Sequence, residues 1–145
     1  MNTSYTIHDC TFIDIATFID ERGAISVIDK ELPFQVKRVF WLHHIKEGKD
    51  RGAHALLEGM EIMIAVHGSF IVDLDDGTEK TSVLLDDPSK GLIIRPGVWF
   101  RTYSYKKDGV SLILADEEYS RDRYTYDYKE YTILSKGNIN RLLER

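Results

Sequence analysis

The residues best able to do chemistry are His54 and Glu61, in a stretch that begins at Arg51 and reaches Gly68. Their spacing follows a metal-binding motif. It consists of a glycine, then His-x-His, then a Glu after four residues, and then a Gly after six more. Leu56 stands where the second histidine belongs. Alternate residues of a strand face one side, so His54 and position 56 would point together, and Glu61 would arrive from the next strand. The pattern predicts a site with one ligand missing.

The fourth ligand of this motif, known from cupins, normally follows a Pro-Gly turn on a later strand. Here Pro96-Gly97 is followed by Phe100 at the place of the expected histidine. Leu and Phe offer no lone pair to a transition metal, and His54 with Glu61 alone would leave water to complete the coordination sphere. We therefore predict no metal site, which also argues against a metal-dependent cupin oxygenase.

Further side chains would complete a site at the same end of the inferred barrel: Arg51, Trp99, Arg101, Tyr103 and Tyr105. A neutral imidazole can accept a proton from a carbon made acidic by a neighbouring carbonyl, and Arg or Tyr can stabilise the resulting enediolate. This chemistry favours a keto-sugar isomerase or epimerase. A satisfied structural role for His54 and an outward position for Glu61 remain open alternatives.

Composition restricts the class of protein and its partners. The 145 residues fit one domain, residues 1–145, and 43% hydrophobic with 30% charged residues is ordinary for a globular protein. The net charge of -5 provides no basic field for nucleic acid. The lone Cys10 cannot form an intramolecular disulfide. Without a signal-peptide pattern or an apolar run of membrane length, we predict a cytoplasmic protein with no membrane partner.

The elements that must position the site are strands. Short runs rich in Val, Ile, Phe, Tyr and Trp alternate with turn residues, which predicts six to ten strands of a β-sandwich or jelly roll. Hairpins are expected across residues 20–23, across His67-Gly68 and at the tight turn 75–77. Helical periodicity occurs only near the end, where Ser135 would cap a segment that runs through Leu143.

Two other groups of side chains are predicted to be structural. His43-His44 follows an apolar strand and is expected to meet solvent. The tyrosines near the end are expected to pack the C-terminal segment onto the barrel or onto a partner subunit. They are Tyr119, Tyr124, Tyr126, Tyr128 and Tyr131.

Short pieces in a characteristic order extend over nearly the whole chain: Arg22-Gly23, Pro33-Phe34, Lys37-Arg38-Val39, Arg51-Gly52 with His54-Ala55, Gly68-Ser69, Leu74 to Gly77, Pro88 with Gly91-Leu92, Pro96 with Trp99, and Tyr124 with Asp127-Tyr128. In these pieces the chain resembles the bacterial dTDP-4-keto-6-deoxyglucose 3,4-ketoisomerases, also called the WxcM-like C-terminal domain. The family is a cupin family that makes deoxy-sugar precursors of surface polysaccharides.

The resemblance implies an all-β cupin jelly roll that forms a homodimer, often with exchanged N-terminal strands. It implies a dTDP-linked sugar bound inside the barrel and proton transfer between C3 and C4 through an enediol. A motif histidine would act as base, without metal or nicotinamide cofactor. By this resemblance His54 is one of two active-site histidines, and Arg38 and Arg51 are candidates to bind the diphosphate.

The departures from the family pattern all fall in the pocket. Leu56 and Phe100 replace histidines, and Glu61 replaces a glutamine. Only His54, oriented by Glu61, would then remain to move a proton in an isomerase, since a carboxylate partner raises the basicity of an imidazole. The alternative is a catalytically degenerate cupin that binds a nucleotide sugar or a partner enzyme.

Overall fold

The computed structural model describes residues 5–30 and 32–135. In this part of the chain it contains ten strands and one short α-helix. The strands are β1 (Phe12–Asp14), β2 (Ala16–Asp20), β3 (Gly23–Val27), β4 (Arg38–Leu42), β5 (Arg51–Leu56), β6 (Glu61–Asp75), β7 (Lys80–Leu85), β8 (Lys90–Ile94), β9 (Trp99–Ala115) and β10 (Tyr124–Thr125). Helix α1 covers Tyr128–Ile133, and short 3-10 turns cover Ile7–Asp9 and Arg121–Arg123.

A long antiparallel ribbon of β6 and β9 forms the centre of the fold, with Glu61 opposite Ala115 and Asp75 opposite Trp99. The first half of β6 pairs with β8, which pairs with β1, and the second half of β9 pairs with β4. At the other end of the ribbon β6 pairs with β7, and β9 pairs with β5, which pairs with β10. The sheet curls around its own inner face. The predicted all-β cupin jelly roll is confirmed.

The ribbon bends where a turn was expected. Residues His67 and Gly68 lie inside the continuous strand β6, so the predicted hairpin at this point is wrong. The register with β9 shifts three times between Ala65 and Ile71, and Gly68 has a φ of 60°. A bulge uses a left-handed glycine just as a tight turn does, which is why the local sequence suggested a turn. A side chain here would clash, since a Cβ would lie 2.3 Å from the carbonyl oxygen of Lys106.

The inner face of the curled sheet is a continuous apolar core. Leu56 and Phe100 belong to it, with Met63, Phe70, Leu92 and Ile113 among their buried companions. On the outer face of the ribbon, Ile62, Ile64, Ile93 and Leu114 form a second cluster beneath Leu32, Phe34 and Val36. The two histidine positions of the motif are therefore occupied by core side chains.

The remaining elements attach at the edges. The predicted hairpin across residues 20–23 is confirmed as a separate two-stranded sheet of β2 and β3. Helix α1 is capped by Asp127, and the Tyr131 hydroxyl donates to the carbonyl oxygens of Asp75 and Gly97. The short C-terminal helix of the predicted fold is thus present. The segment predicted to run from Ser135 to Leu143 lies, beyond Ser135, outside the described residues.

Within residues 5–30 and 32–135, the helices are too short and too polar to cross a membrane.

Candidate active site

Glu61 lies on the inner face at the start of β6. The Glu61 side chain is only 3% exposed. Side chains alternate along the strand, so that Ile62 faces the outer cluster and Met63, like Glu61, faces the inner core. Glu61 Oε2 accepts hydrogen bonds from Arg38 Nη2 at 3.3 Å and from the Tyr124 hydroxyl at 3.2 Å. Arg38 also donates to the Tyr124 oxygen. A carboxyl, a guanidinium and a phenol from three different strands therefore meet inside the fold.

The guanidinium of Arg38, on β4, packs against aromatic rings. It lies 4.7 Å from the centroid of Phe40 and 5.4 Å from that of Tyr119. Its buried Nε has no hydrogen-bond partner within the described part of the chain. Buried donors are almost always satisfied in folded proteins, and an unsatisfied one costs free energy. Folding therefore leaves this donor uncompensated.

The surroundings of Glu61 bring the pKa of its carboxyl close to neutral pH. Burial raises the pKa of Glu61 from 4.5 to about 7, and the negative charge of Asp116 acts in the same direction. The Arg38 charge and the Tyr124 hydrogen bond lower this pKa, but burial has the larger effect. Catalytic acids and bases typically combine burial and charged neighbours in this way.

His54 occupies an aromatic environment. Its ring packs edge-to-face on Phe100 at 4.7 Å and on Tyr124 at 4.9 Å, and tilted on Tyr126 at 5.4 Å between ring centroids. Burial, with a smaller contribution from the Arg38 charge, lowers the pKa of the His54 imidazole from 6.5 to about 4. The expected orientation of His54 by Glu61 is not seen, because Glu61 bonds to Arg38 and Tyr124 instead.

The structure does not bring Trp99, Arg101 and Tyr103 to His54. Since Phe100 and Thr102 face inward, their neighbours in β9 face outward. Arg101 pairs there with Asp73 at 3.0 Å. The Tyr103 hydroxyl donates to the same carboxylate, and Trp99 packs on Tyr128. Trp99 and Arg101 border an outer cleft of about 460 Å³. Binding of substrate by these three residues stays a prediction, because they lie on the outward face of β9 and do not contact the interior site.

Arg51, by contrast, stands at the edge of a basic cleft of about 400 Å³. The cleft is lined by Trp41, Leu42, His43, His44, Ile45, Lys46, Lys49 and Arg51. Among the described residues, the two lysines and Arg51 form no salt bridge. Arg51 and His54 are three residues apart on β5, or about 10 Å along a strand. The cleft thus lies next to the interior site along the same strand.

The space beside Glu61 is small. A cavity of about 10 Å³ lies between Arg38, Glu61, Tyr124 and the loop after β9. Leu56 and Phe100, at the two histidine positions of the motif, are buried in the apolar core. On either side of Tyr124, the Tyr119 and Tyr126 rings are substantially exposed.

The role of Tyr124 was missed from the sequence. It was expected only to pack, yet its hydroxyl bridges Arg38 and Glu61. It lies 63 residues from Glu61, and no motif spacing connects the two. Pairing of the two-residue strand β10 with β5 brings it to the site.

Comparison with known proteins defines the family. The model of the WxcM-like, C-terminal (FdtA) family matches residues 8–136. The chain belongs to this family. A relative from Aneurinibacillus thermoaerophilus, a TDP-4-oxo-6-deoxy-alpha-D-glucose-3,4-oxoisomerase, is 32% identical over 132 residues, which cover 89% of this chain and 95% of that protein.

Solved structures of sugar 3,4-ketoisomerases are similar to this chain over most of their length. The sugar 3,4-ketoisomerase QdtA from Thermoanaerobacterium thermosaccharolyticum, in complex with TDP, has a TM-score of 0.87 at 28% identity and covers 90% of this chain and 97% of its own. The TDP-fucose-3,4-ketoisomerase WlaRA from Campylobacter jejuni has a TM-score of 0.79 at 32% identity, with 86% and 94% covered.

Proposed function

We propose that this protein is a nucleotide-sugar 3,4-ketoisomerase. It moves the keto group of a dTDP-4-keto-6-deoxyhexose from C4 to C3 by proton transfer between these carbons, in the synthesis of deoxy sugars for surface polysaccharides. The proposal rests on family membership, with an oxoisomerase relative 32% identical over most of both chains.

In the structure of this chain, the observation that supports the proposal is the buried carboxyl of Glu61. It lies between a guanidinium and a phenol, and its pKa is raised to about 7. Proton transfer next to a ketone needs a base that titrates near the working pH and donors that stabilise the enediolate. Glu61 and His54 are the two candidates for the proton-transfer residue, and no metal or organic cofactor is required.

The basic cleft is the proposed site for the diphosphate of the substrate. Arg51 and its two neighbouring lysines supply positive charge on a chain whose net charge is -5. Arg binds phosphate oxygens through forked, charge-assisted hydrogen bonds. The family resemblance also suggested Arg38 as a ligand of the diphosphate. Because its guanidinium points to Glu61 instead, we propose that Arg38 binds the sugar.

A second candidate function is binding without turnover. It is favoured by Leu56 and Phe100, which are fully integrated in the apolar core. Such a protein would bind a dTDP-sugar, or a partner enzyme, after the loss of its proton-transfer histidines.

One experiment separates these functions. The protein is incubated with TDP-4-keto-6-deoxyglucose in deuterated water, and NMR follows both the 3-keto product and deuterium at the carbons next to the ketone. We expect product and exchange. Measurable dTDP binding without product or exchange would instead support the binding protein.

We also propose a homodimer, because the β2–β3 hairpin exposes apolar side chains. Phe18 and Ile25 are cross-strand partners, each 66% exposed, and Ile19 on the other face is 80% exposed. An isolated two-stranded sheet of this kind is marginal unless another surface covers it. The double variant Phe18→Asp/Ile25→Asp should be monomeric by light scattering, whereas Leu84→Asp, at an exposed position on β7, should remain dimeric. A monomeric wild type would contradict the proposal.

A cytoplasmic location and the lack of nucleic-acid and membrane partners are kept as predictions from composition.

A further inference from the structure

We infer that Glu61, rather than His54, is the proton-transfer residue of this chain, and that Tyr124 and Arg38 act with it on the substrate. This inference rests on the proposed isomerase function and assigns the chemistry within its site. The Glu61 carboxyl then transfers the proton that a motif histidine would transfer, and the Tyr124 hydroxyl is a catalytic group.

The geometry around Glu61 supports this assignment. Both of its hydrogen bonds end on Oε2, so Oε1 has no partner among the described residues and can receive a proton. Arg38 directs one nitrogen to Glu61 and leaves its buried Nε without a partner. A base oxygen and an uncommitted cationic donor thus lie together in the interior, where water competes little for either.

His54 has the opposite environment. Its imidazole is surrounded by Phe100, Tyr124 and Tyr126 and has no hydrogen-bond partner in the described part of the chain. Its pKa is lowered to about 4, so it stays neutral and is a weak base at neutral pH. General-base efficiency is greatest for a group whose pKa lies near the working pH. We therefore assign His54 a positioning role against the substrate.

The proposed reaction balances without an added reactant. The Glu61 carboxylate takes the proton from C3, the C3–H electrons form the C3=C4 bond, and the carbonyl pair of C4 moves onto O4. Arg38 stabilises this enediolate through its free Nε–H. Tyr124 passes the O3 hydroxyl proton to O4, and Glu61 returns its proton to C4 as the C3 ketone forms. One C–H and one O–H bond break, and one of each forms.

Substrate access requires side-chain movement, since the cavity beside Glu61 is only about 10 Å³. The exposed rings of Tyr119 and Tyr126 cover Arg38 and His54 respectively. Both rings are substantially exposed, whereas Tyr124 is held by its hydroxyl and by the pairing of β10 with β5.

The test compares matched variants in the isomerase assay. Glu61→Gln keeps an acceptor for Arg38 and Tyr124 but cannot take a proton, so kcat/KM should fall at least about 100-fold while dTDP affinity changes less than about twofold. His54→Asn should lower kcat/KM by less than about tenfold. Glu130→Gln, which changes an exposed acid on α1, should have wild-type activity.

The pH profile is a second readout. The groups that shift the pKa of Glu61 are Arg38 on β4, Tyr124 on β10 and Asp116 after β9. The other charged residues that line the same cavity are Glu58, Glu117, Glu118 and Arg123. Wild-type kcat/KM should rise with pH and level off above about 7, and His54→Asn should keep this profile. Asp116→Asn should move the rise to lower pH, because the Asp116 charge raises the pKa of Glu61.

The outcomes separate this inference from the proposed function. If the wild type makes no 3-keto product, both the proposed function and the inference fail. If the wild type is active but Glu61→Gln lowers kcat/KM by less than about 100-fold, or if His54→Asn alone removes the pH dependence, the function stands and the inference is overturned.

Discussion

Glu61 should make the stability of this protein depend on pH in a defined way. The pKa of its carboxyl is 4.5 when exposed and about 7 in the fold, so folding favours the protonated form. The stabilisation is fully present below pH 4.5 and is lost as the pH rises to about 7. At about 1.4 kcal/mol per pH unit, this difference amounts to about 3 kcal/mol between the two limits.

Glu61→Gln removes this dependence while keeping the hydrogen-bond acceptor. Relative to the wild type, the variant should gain about 2 to 3 kcal/mol of unfolding free energy between pH 5 and pH 8, because the wild type must ionise a buried carboxyl at the higher pH. His54 titrates in the opposite sense, since its lowered pKa makes acid destabilising. Its contribution is common to both proteins and cancels in the comparison.

Urea unfolding followed by tryptophan fluorescence measures the effect at each pH. Glu130→Gln serves as the control, because it makes the same change of side chain at an exposed position on α1. A raised pKa of Glu61 is refuted if the difference in unfolding free energy between Glu61→Gln and wild type changes by less than about 0.5 kcal/mol from pH 5 to pH 8.

Three further predictions concern other parts of the fold. Gly68→Ala should lower the free energy of unfolding by more than Gly97→Ala, since both have positive φ but only the Cβ at position 68 meets backbone atoms; equal losses in urea unfolding would contradict this. Tyr131→Phe should cost about 1 to 3 kcal/mol in the same assay, because the buried carbonyl oxygen of Asp75 and the partly buried one of Gly97 lose a shared donor, and an unchanged midpoint would disprove it. Lys46→Ala/Lys49→Ala should weaken dTDP binding at least about tenfold in calorimetry and reduce its salt dependence; wild-type affinity would remove the basic cleft from the binding site.

Much of the fold could be predicted from local sequence. The hairpin of β2 and β3, the turn at residues 75–77 and the strands near Leu85 and Ile94 follow from apolar runs bounded by turn residues. The hairpin predicted at His67-Gly68 failed because a bulge and a turn both use a left-handed glycine. Only the pairing of β6 with the similarly long β9 distinguishes them.

The candidate site was predictable in part. Motif spacing identified His54 and Glu61 and the two vacant positions at Leu56 and Phe100. The roles of His54 and Glu61 could not be assigned, because their pKa values depend on burial and on charges that arrive from other strands.

The sequence by itself determined the family, the strand pattern and the loss of two histidines from the motif. These are properties of residue type and spacing, which need no knowledge of long-range contacts. The tertiary structure alone decided that Trp99, Arg101 and Tyr103 face away from His54, because the face of a strand depends on its register with its neighbours. It also decided that Tyr124 and Arg38 meet Glu61, since β10, β4 and β6 come together only when the sheet curls.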